Sequence, residues 1–116
     1  MELMNYQEKV VALLGKKITV IVDRPVGYRH YSYVYPINYG YIKEMVAPDG
    51  EYQDAYLLGC NKPLKQAQGI VIAVIQREDD DEDKLVVSLN DHNYADEEIE
   101  NELHFQEQFF IHKIVR

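Results

Sequence analysis

The chain carries 116 residues with a net charge of −8, and 47% of it is hydrophobic, a balance that suits one folded domain over residues 1–116 with a core that needs no staples. No basic stripe offsets the acidity, which argues against nucleic acid and anionic membrane surfaces as partners. The single cysteine, Cys60, rules out an internal disulfide and fits a reducing cytoplasm. No segment has the length of a membrane span, and Glu2, Asn5, Gln7 and Glu8 stand where an export signal would be basic and then apolar.

In chain order, Leu3, Tyr6, Val10 and Leu13 keep helical spacing and predict an amphipathic helix over 1–14, with Gly15 as its stop. The β-branched run Ile18-Thr-Val-Ile-Val22 predicts a strand, closed by Asp23-Arg24-Pro25 because proline cannot continue the ladder. Residues 26–34 lack periodicity and predict a loop. Strands follow over 35–45 and 54–58. Gly69-Ile-Val-Ile-Ala-Val-Ile75 is apolar on both faces and predicts the central strand of a closed sheet. An acidic loop over 76–83 leads into a last strand, Lys84–Leu89, and a turn at 90–93. Asp96 to about Ile111 predicts a helix, with Ile99, Leu103, Gln106 and Phe110 on one face and three acids at its positive end. Residues 111–116 fit a short added strand or a docked tail. Five strands with one helix before and one after predict a mainly β fold, a small closed barrel, since closure removes exposed edges.

One stretch concentrates chemistry. Tyr35-Pro-Ile-Asn-Tyr-Gly-Tyr-Ile42 sets Tyr35, Tyr39 and Tyr41 at odd positions, on one face of an extended chain. Pro48-Asp49-Gly50 is turn chemistry, and Glu51 and Asp54 leave that turn at the start of the next strand. A second acid group, Asp79-Asp-Asp-Glu-Asp83, lies in the later loop. Taken alone, each group is most simply a solvated turn. Brought to the same end of a barrel, the two would supply carboxylates for Mg²⁺, which takes oxygen ligands from separate loops and retains waters. The spacing after Asp79 does not make an EF-hand loop. His30, His92, His104 and His112 show no metal-ligand spacing. Ser32 and Ser88 lack a nucleophile elbow, and no glycine-rich phosphate loop is present.

The block Tyr35-Pro-x-Asn-Tyr-Gly-Tyr-Ile42, followed by Asp49-Gly-Glu-x-x-Asp54, resembles the signature of the soluble family I inorganic pyrophosphatases, where the second part reads Asp-Gly-Asp-Pro-x-Asp. The resemblance implies a five-stranded OB-like barrel, Mg²⁺ as cofactor, hydrolysis of pyrophosphate to two phosphates, and a tendency to form homo-oligomers. It gives Asp49 and Asp54 as metal ligands, and Glu51 stands where the family carries the aspartate that helps activate water. Asp54, Arg24 and Tyr39 complete the catalytic set so implied. Asp79 and Asp83 are matched to metal aspartates, with Asp80 or Asp81 as rivals for the first. Lys84, Tyr35 and Tyr39 are matched to phosphate ligands. Val22-Asp-Arg24 matches the family's Val-Asp-Arg and makes Arg24 a phosphate arginine, with Arg29 as an alternative because the following loop is longer here.

The chain also departs from that pattern. The lysine and glutamates of the family's early strands have no counterpart, and its late Tyr-Lys pair is replaced by Phe109-Phe110. Two further readings follow: hydrolysis of another small phosphoanhydride or phosphoester, or a barrel that binds without catalysis.

Overall fold

The computed structural model describes residues 4–116. It contains α1 (Tyr6–Val11), β1 (Lys17–Arg24), β2 (Arg29–His30), β3 (Tyr33–Val34), β4 (Asn38–Val46), β5 (Tyr52–Leu58), β6 (Gln66–Arg77), β7 (Lys84–Ser88), α2 (Asp96–Glu107) and β8 (His112–Val115). The main sheet runs β1-β4-β5-β7-β6, and β1 pairs again with β6, closing a five-stranded barrel; β8 is added outside β6. The fold is the OB-like barrel with flanking helices that the strand count predicts.

Strand β6 makes closure work by being long. Residues 66–70 pair with β1, 70–75 with β7 and 74–77 with β8, and a register shift between Val71 and Ala73 bends the strand between partners. Such a bulge adds twist where a sheet must curl. β1 and β4 approach so closely that a Cβ on Gly40 would sit 1.8 Å from the Ile21 carbonyl oxygen, so only glycine fits there.

Alternation along each strand divides the core in two. Ala55, Leu57, Val71, Val74, Leu85 and Val87 point inward with Ile18, Val20 and Ile42, and Val10, Tyr6 and Leu13 of the N-terminal segment pack on them. Tyr56, Leu58, Ala73, Ile75 and Val86 point outward and are covered by Ile99 and Leu103 of α2. Each fully buried leucine or isoleucine contributes about 1.5–3 kcal/mol by leaving water.

Several boundaries differ from the sequence reading. The first helix spans only Tyr6–Val11, capped by Asn5, whose side chain accepts from the Glu8 N–H; Leu3 of the predicted helix lies outside the described residues. The loop over 26–34 contains the small β2–β3 hairpin, with Tyr31 at positive φ at its tip. Strand β4 begins at Asn38, not Tyr35, because Pro36 has no N–H to offer a ladder. α2 ends at Glu107, and the chain after it turns into β8, the added strand.

Candidate functional site

A cleft of about 270 Å³ opens on the outer face of the barrel beside the C-terminal end of α2. Arg24, Tyr39, Asp54, Arg77, Glu82 and Lys84 line it from five barrel strands and the acidic loop. His30 and Tyr33 of the hairpin, Asp80 of the loop, and Gln106 and Phe110 from α2 and beyond complete its walls.

Arg24 ends β1, where the register against β4 shifts between Val22 and Arg24 and brings Arg24 opposite Tyr39. Its Nη1 donates to the Tyr35 hydroxyl at 2.6 Å, and its guanidinium lies 5.6 to 5.7 Å from the ring centres of Tyr28, Tyr35 and Tyr39. Burial works against the charge, but the Tyr35 hydroxyl and the surrounding rings outweigh it and raise the Arg24 pKa. Lys84 Nζ donates to Asp54 Oδ2 at 2.5 Å, a charge-assisted contact. Burial, then the neighbouring Asp54 carboxylate, pushes the Tyr39 hydroxyl well above the ordinary tyrosine range, so it stays protonated and able to donate.

Asp54 forms the wall between this cleft and a second hollow, lined by Asp23, Tyr41, Asp49, Glu51, Tyr52 and Asp54. Pro48-Asp49-Gly50 makes the expected turn: Gly50 has φ 88°, and Asp49 Oδ1 accepts from the Glu51 N–H at 2.9 Å. That backbone donor holds the Asp49 pKa below the ordinary value, and its carboxylate also meets Glu82. Burial first, then the hydrogen bond with Asp49, pushes Glu82 up to about 7.

The structure thus brings together Arg24, Tyr39, Asp54 and Lys84 of the expected set, with Asp49 and Glu51 in the adjoining hollow. Four others of that set are placed differently. Asp83 is only 2% exposed and does not line the cleft; its Oδ2 is the one buried side-chain oxygen without a hydrogen-bond partner among the described residues. The backbone of Asp83 is tied inward, its N–H to the Tyr6 hydroxyl and its carbonyl to Gln53, while Glu82 and Lys84 on either side line the cleft. Asp79 is exposed, accepting from the Ile111 N–H at 3.4 Å, while Asp80 reaches the cleft and Asp81 lies in the open groove beside it. Arg29 is exposed on β2 and lines no part of the cleft. Tyr35 is fully buried, and its hydroxyl is committed to Arg24 and Gln106.

Three residues were missed. Glu82 lies in the acidic run already noted, two residues before Lys84. Arg77 continues the outward positions Ala73 and Ile75 of β6. Its guanidinium donates to Glu107 through Nε at 3.2 Å and Nη2 at 2.7 Å, and through Nη1 to Asp80 at 3.3 Å. Gln106 sat on the apolar stripe of α2 as its one polar member, a signal that a buried partner awaits it.

Among the described residues, no three His, Cys, Asp or Glu side chains are gathered around one point for a metal ion. The expected cage of Asp49, Asp54, Asp79 and Asp83 is not assembled, since Asp79 and Asp83 point elsewhere and Asp54 is held by Lys84. The Asp49–Glu82 pair does fit one Mg²⁺, which binds through one or two carboxylates and fills its remaining positions with water and phosphate oxygens.

No family model matches the chain, and no curated protein matches it. Solved structures do. An inorganic pyrophosphatase from Ehrlichia chaffeensis aligns with a TM-score of 0.63 at 17% identity, covering 86% of this chain and 85% of that one. That from Helicobacter pylori gives 0.62 at 14%, covering 85% and 82%. That from Thermus thermophilus gives 0.61 at 14%, covering 87% and 81%. At these identities the likeness speaks for architecture, and on that ground the chain has the fold of the inorganic pyrophosphatases.

Proposed function

We propose that this protein is a metal-dependent hydrolase that cleaves inorganic pyrophosphate into two phosphates, with Mg²⁺ as its cofactor. The observation that carries this reading is the meeting of Arg24, Lys84 and the Tyr39 hydroxyl with Asp54, Glu82 and Asp49 in and beside one small cleft. Phosphoryl transfer asks little covalent chemistry of a protein; it asks for fixed charges around the phosphoryl oxygens and an oriented water.

Asp49 and Glu82 would hold Mg²⁺, which when bound neutralises phosphate charge and polarises the phosphorus centre. The Arg24 guanidinium and the Lys84 ammonium bind the oxygens of the departing phosphate, Arg24 in fixed orientation because Tyr35 anchors its Nη1. The Tyr39 hydroxyl donates a hydrogen bond to a phosphoryl oxygen. Glu51 takes a proton at its carboxylate from the water that attacks phosphorus, and the phosphorus–oxygen bond to the departing phosphate breaks. Among the described residues Glu51 carries no salt bridge, so its carboxylate is available for this role. Asp54 holds Lys84 at the border between the water side and the phosphate side.

The test is phosphate release from pyrophosphate as Mg²⁺ is titrated in, comparing wild type with Asp54→Asn. Metal-dependent turnover that falls at least about 100-fold in the variant is the expected result. No turnover by a folded wild type would sink the reading. A second reading, a different phosphoester as substrate, is favoured by Phe110, His30 and Tyr33 at the cleft, whose rings offer a bare pyrophosphate nothing; faster release from an aryl phosphate than from pyrophosphate would establish it.

A further inference from the structure

A chain of hydrogen bonds runs through the aromatic layer beneath α2 and has only one consistent polarity. At one end, Glu107 is 1% exposed and can only accept. It takes the Tyr56 hydroxyl proton at Oε2 over 2.5 Å and two N–H groups of Arg77. The Tyr56 oxygen must therefore accept, and Gln106 Nε2 donates to it at 2.9 Å. The amide is then fixed with Oε1 toward Tyr35, which donates to it. The Tyr35 oxygen in turn accepts from Arg24 Nη1 at 2.6 Å. Both terminal arginines line the cleft. At the middle of this chain the Gln106 amide donates from its nitrogen on one side and accepts at its oxygen on the other.

Packing alone does not explain it. A layer built from Tyr35, Tyr39, Tyr56, Leu58 and Ile75 would accept a methionine or leucine at position 106 at less cost than a polar network that must be fully satisfied. Arg77 is likewise restrained on every side, with Asp80 on Nη1 and the Phe110 ring 3.6 Å from its Cζ. A guanidinium held this firmly loses little further freedom when it binds an anion.

We propose that Arg24 and Arg77 form a preformed two-guanidinium clamp for the two phosphoryl groups of a diphosphate, and that Gln106 is the positioning residue holding both. This rests on the phosphate-cleft reading above. It gives the site a cation that the missing Tyr-Lys pair would otherwise leave it without. It also makes the distinction between diphosphate and monophosphate a property of the clamp: one phosphoryl group can use one arginine, and two can use both.

The experiment measures the affinity of the full-length protein for methylenediphosphonate, which is not hydrolysed, and for inorganic phosphate, by titration calorimetry. Wild type is compared with Gln106→Met, and with Tyr35→Phe, which cuts the same chain one link closer to Arg24 and keeps the ring. Both variants are expected to bind the diphosphonate about tenfold more weakly. Inorganic phosphate should lose no more than about threefold, so the preference between the two collapses. The effect of Gln106→Met should also be largely absent in an Arg24→Met, Arg77→Met background, because the clamp it serves is gone. Equal loss for both anions, unchanged affinity in a variant with a lowered melting temperature, or full additivity with the arginine substitutions would each overturn the proposal. A wild type that binds neither anion would overturn it as well. A wild type that binds the diphosphonate but releases no phosphate from pyrophosphate would remove the hydrolase reading and leave the clamp standing.

Discussion

The two faces of the barrel wall solve opposite problems with the same strands. Inside, Leu57, Leu85, Val71 and Val20 fill a volume closed off by the helical N-terminal segment. The polar intrusion there is one compact knot: the Tyr6 hydroxyl donates to Gln53 Oε1 and accepts from the Asp83 N–H, and Gln53 Nε2 donates to the Asp83 carbonyl at 2.6 Å. That knot ties the acidic loop to the barrel. Outside, alternate residues of the same strands meet α2 through tyrosines and a buried ion pair, and this layer opens on the cleft. The inner face closes the barrel; the outer face accepts the expense of buried charge to hold cations in place. Stability and function are therefore separable by strand parity.

Three substitutions would break or sharpen that contrast. The largest effect is expected on the outer face. Glu107→Ala leaves Arg77 charged in a site where burial opposes its charge and removes Glu107, the largest of the groups that outweigh it, and should cost about 4 kcal/mol in denaturant unfolding. Combining it with Arg77→Met should recover part of that loss while diphosphonate binding stays weak, which separates charge from packing.

On the inner face, Leu57→Ala should cost about 3 kcal/mol by the same measurement. Because Leu57 points away from the cleft, anion affinity at a temperature well below the melting point should stay within about twofold of wild type. A loss of affinity as large as that from Gln106→Met would show that the two faces are not independent.

The smallest effect concerns pH, at the junction of α2 and β8. His112 Nδ1 donates to the Phe110 carbonyl at 3.0 Å, and its Nε2 meets Glu100 Oε1 at 2.9 Å. Burial lowers its pKa, but the Phe110 carbonyl and Glu100 outweigh that and leave it raised. A raised folded-state value means the stabilisation is fully present below the unfolded value of about 6.5 and is lost as pH rises through the folded one. The melting temperature of wild type should therefore fall relative to His112→Gln from pH 6 to pH 8. A constant difference between the two would refute this.

Much of this was legible beforehand because it depends on local patterning. The β-branched runs at 18–22, 69–75 and 84–89 became β1, β6 and β7, since period and propensity agree there. Pro48-Asp49-Gly50 became a turn because its conformational preferences are intrinsic to those residues. Arg24, Lys84, Tyr39, Asp49 and Asp54 were singled out through the resemblance, and barrel closure places them in one cleft and the hollow beside it.

What the sequence determined by itself was the five barrel strands, the helix that starts at Asp96, and the residue types offered as phosphate ligands. Tertiary structure alone decided which of them meet. Glu82 lines the cleft and Asp83 does not because the Asp83 backbone is tied to Tyr6 and Gln53 on the inner side. Tyr35 became a support because its hydroxyl meets Gln106, 71 positions along the chain. Arg77 entered the site because Glu107 lies across the sheet from it. Contacts of that kind join residues far apart in sequence, and they exist only once the barrel closes and α2 lies down upon it.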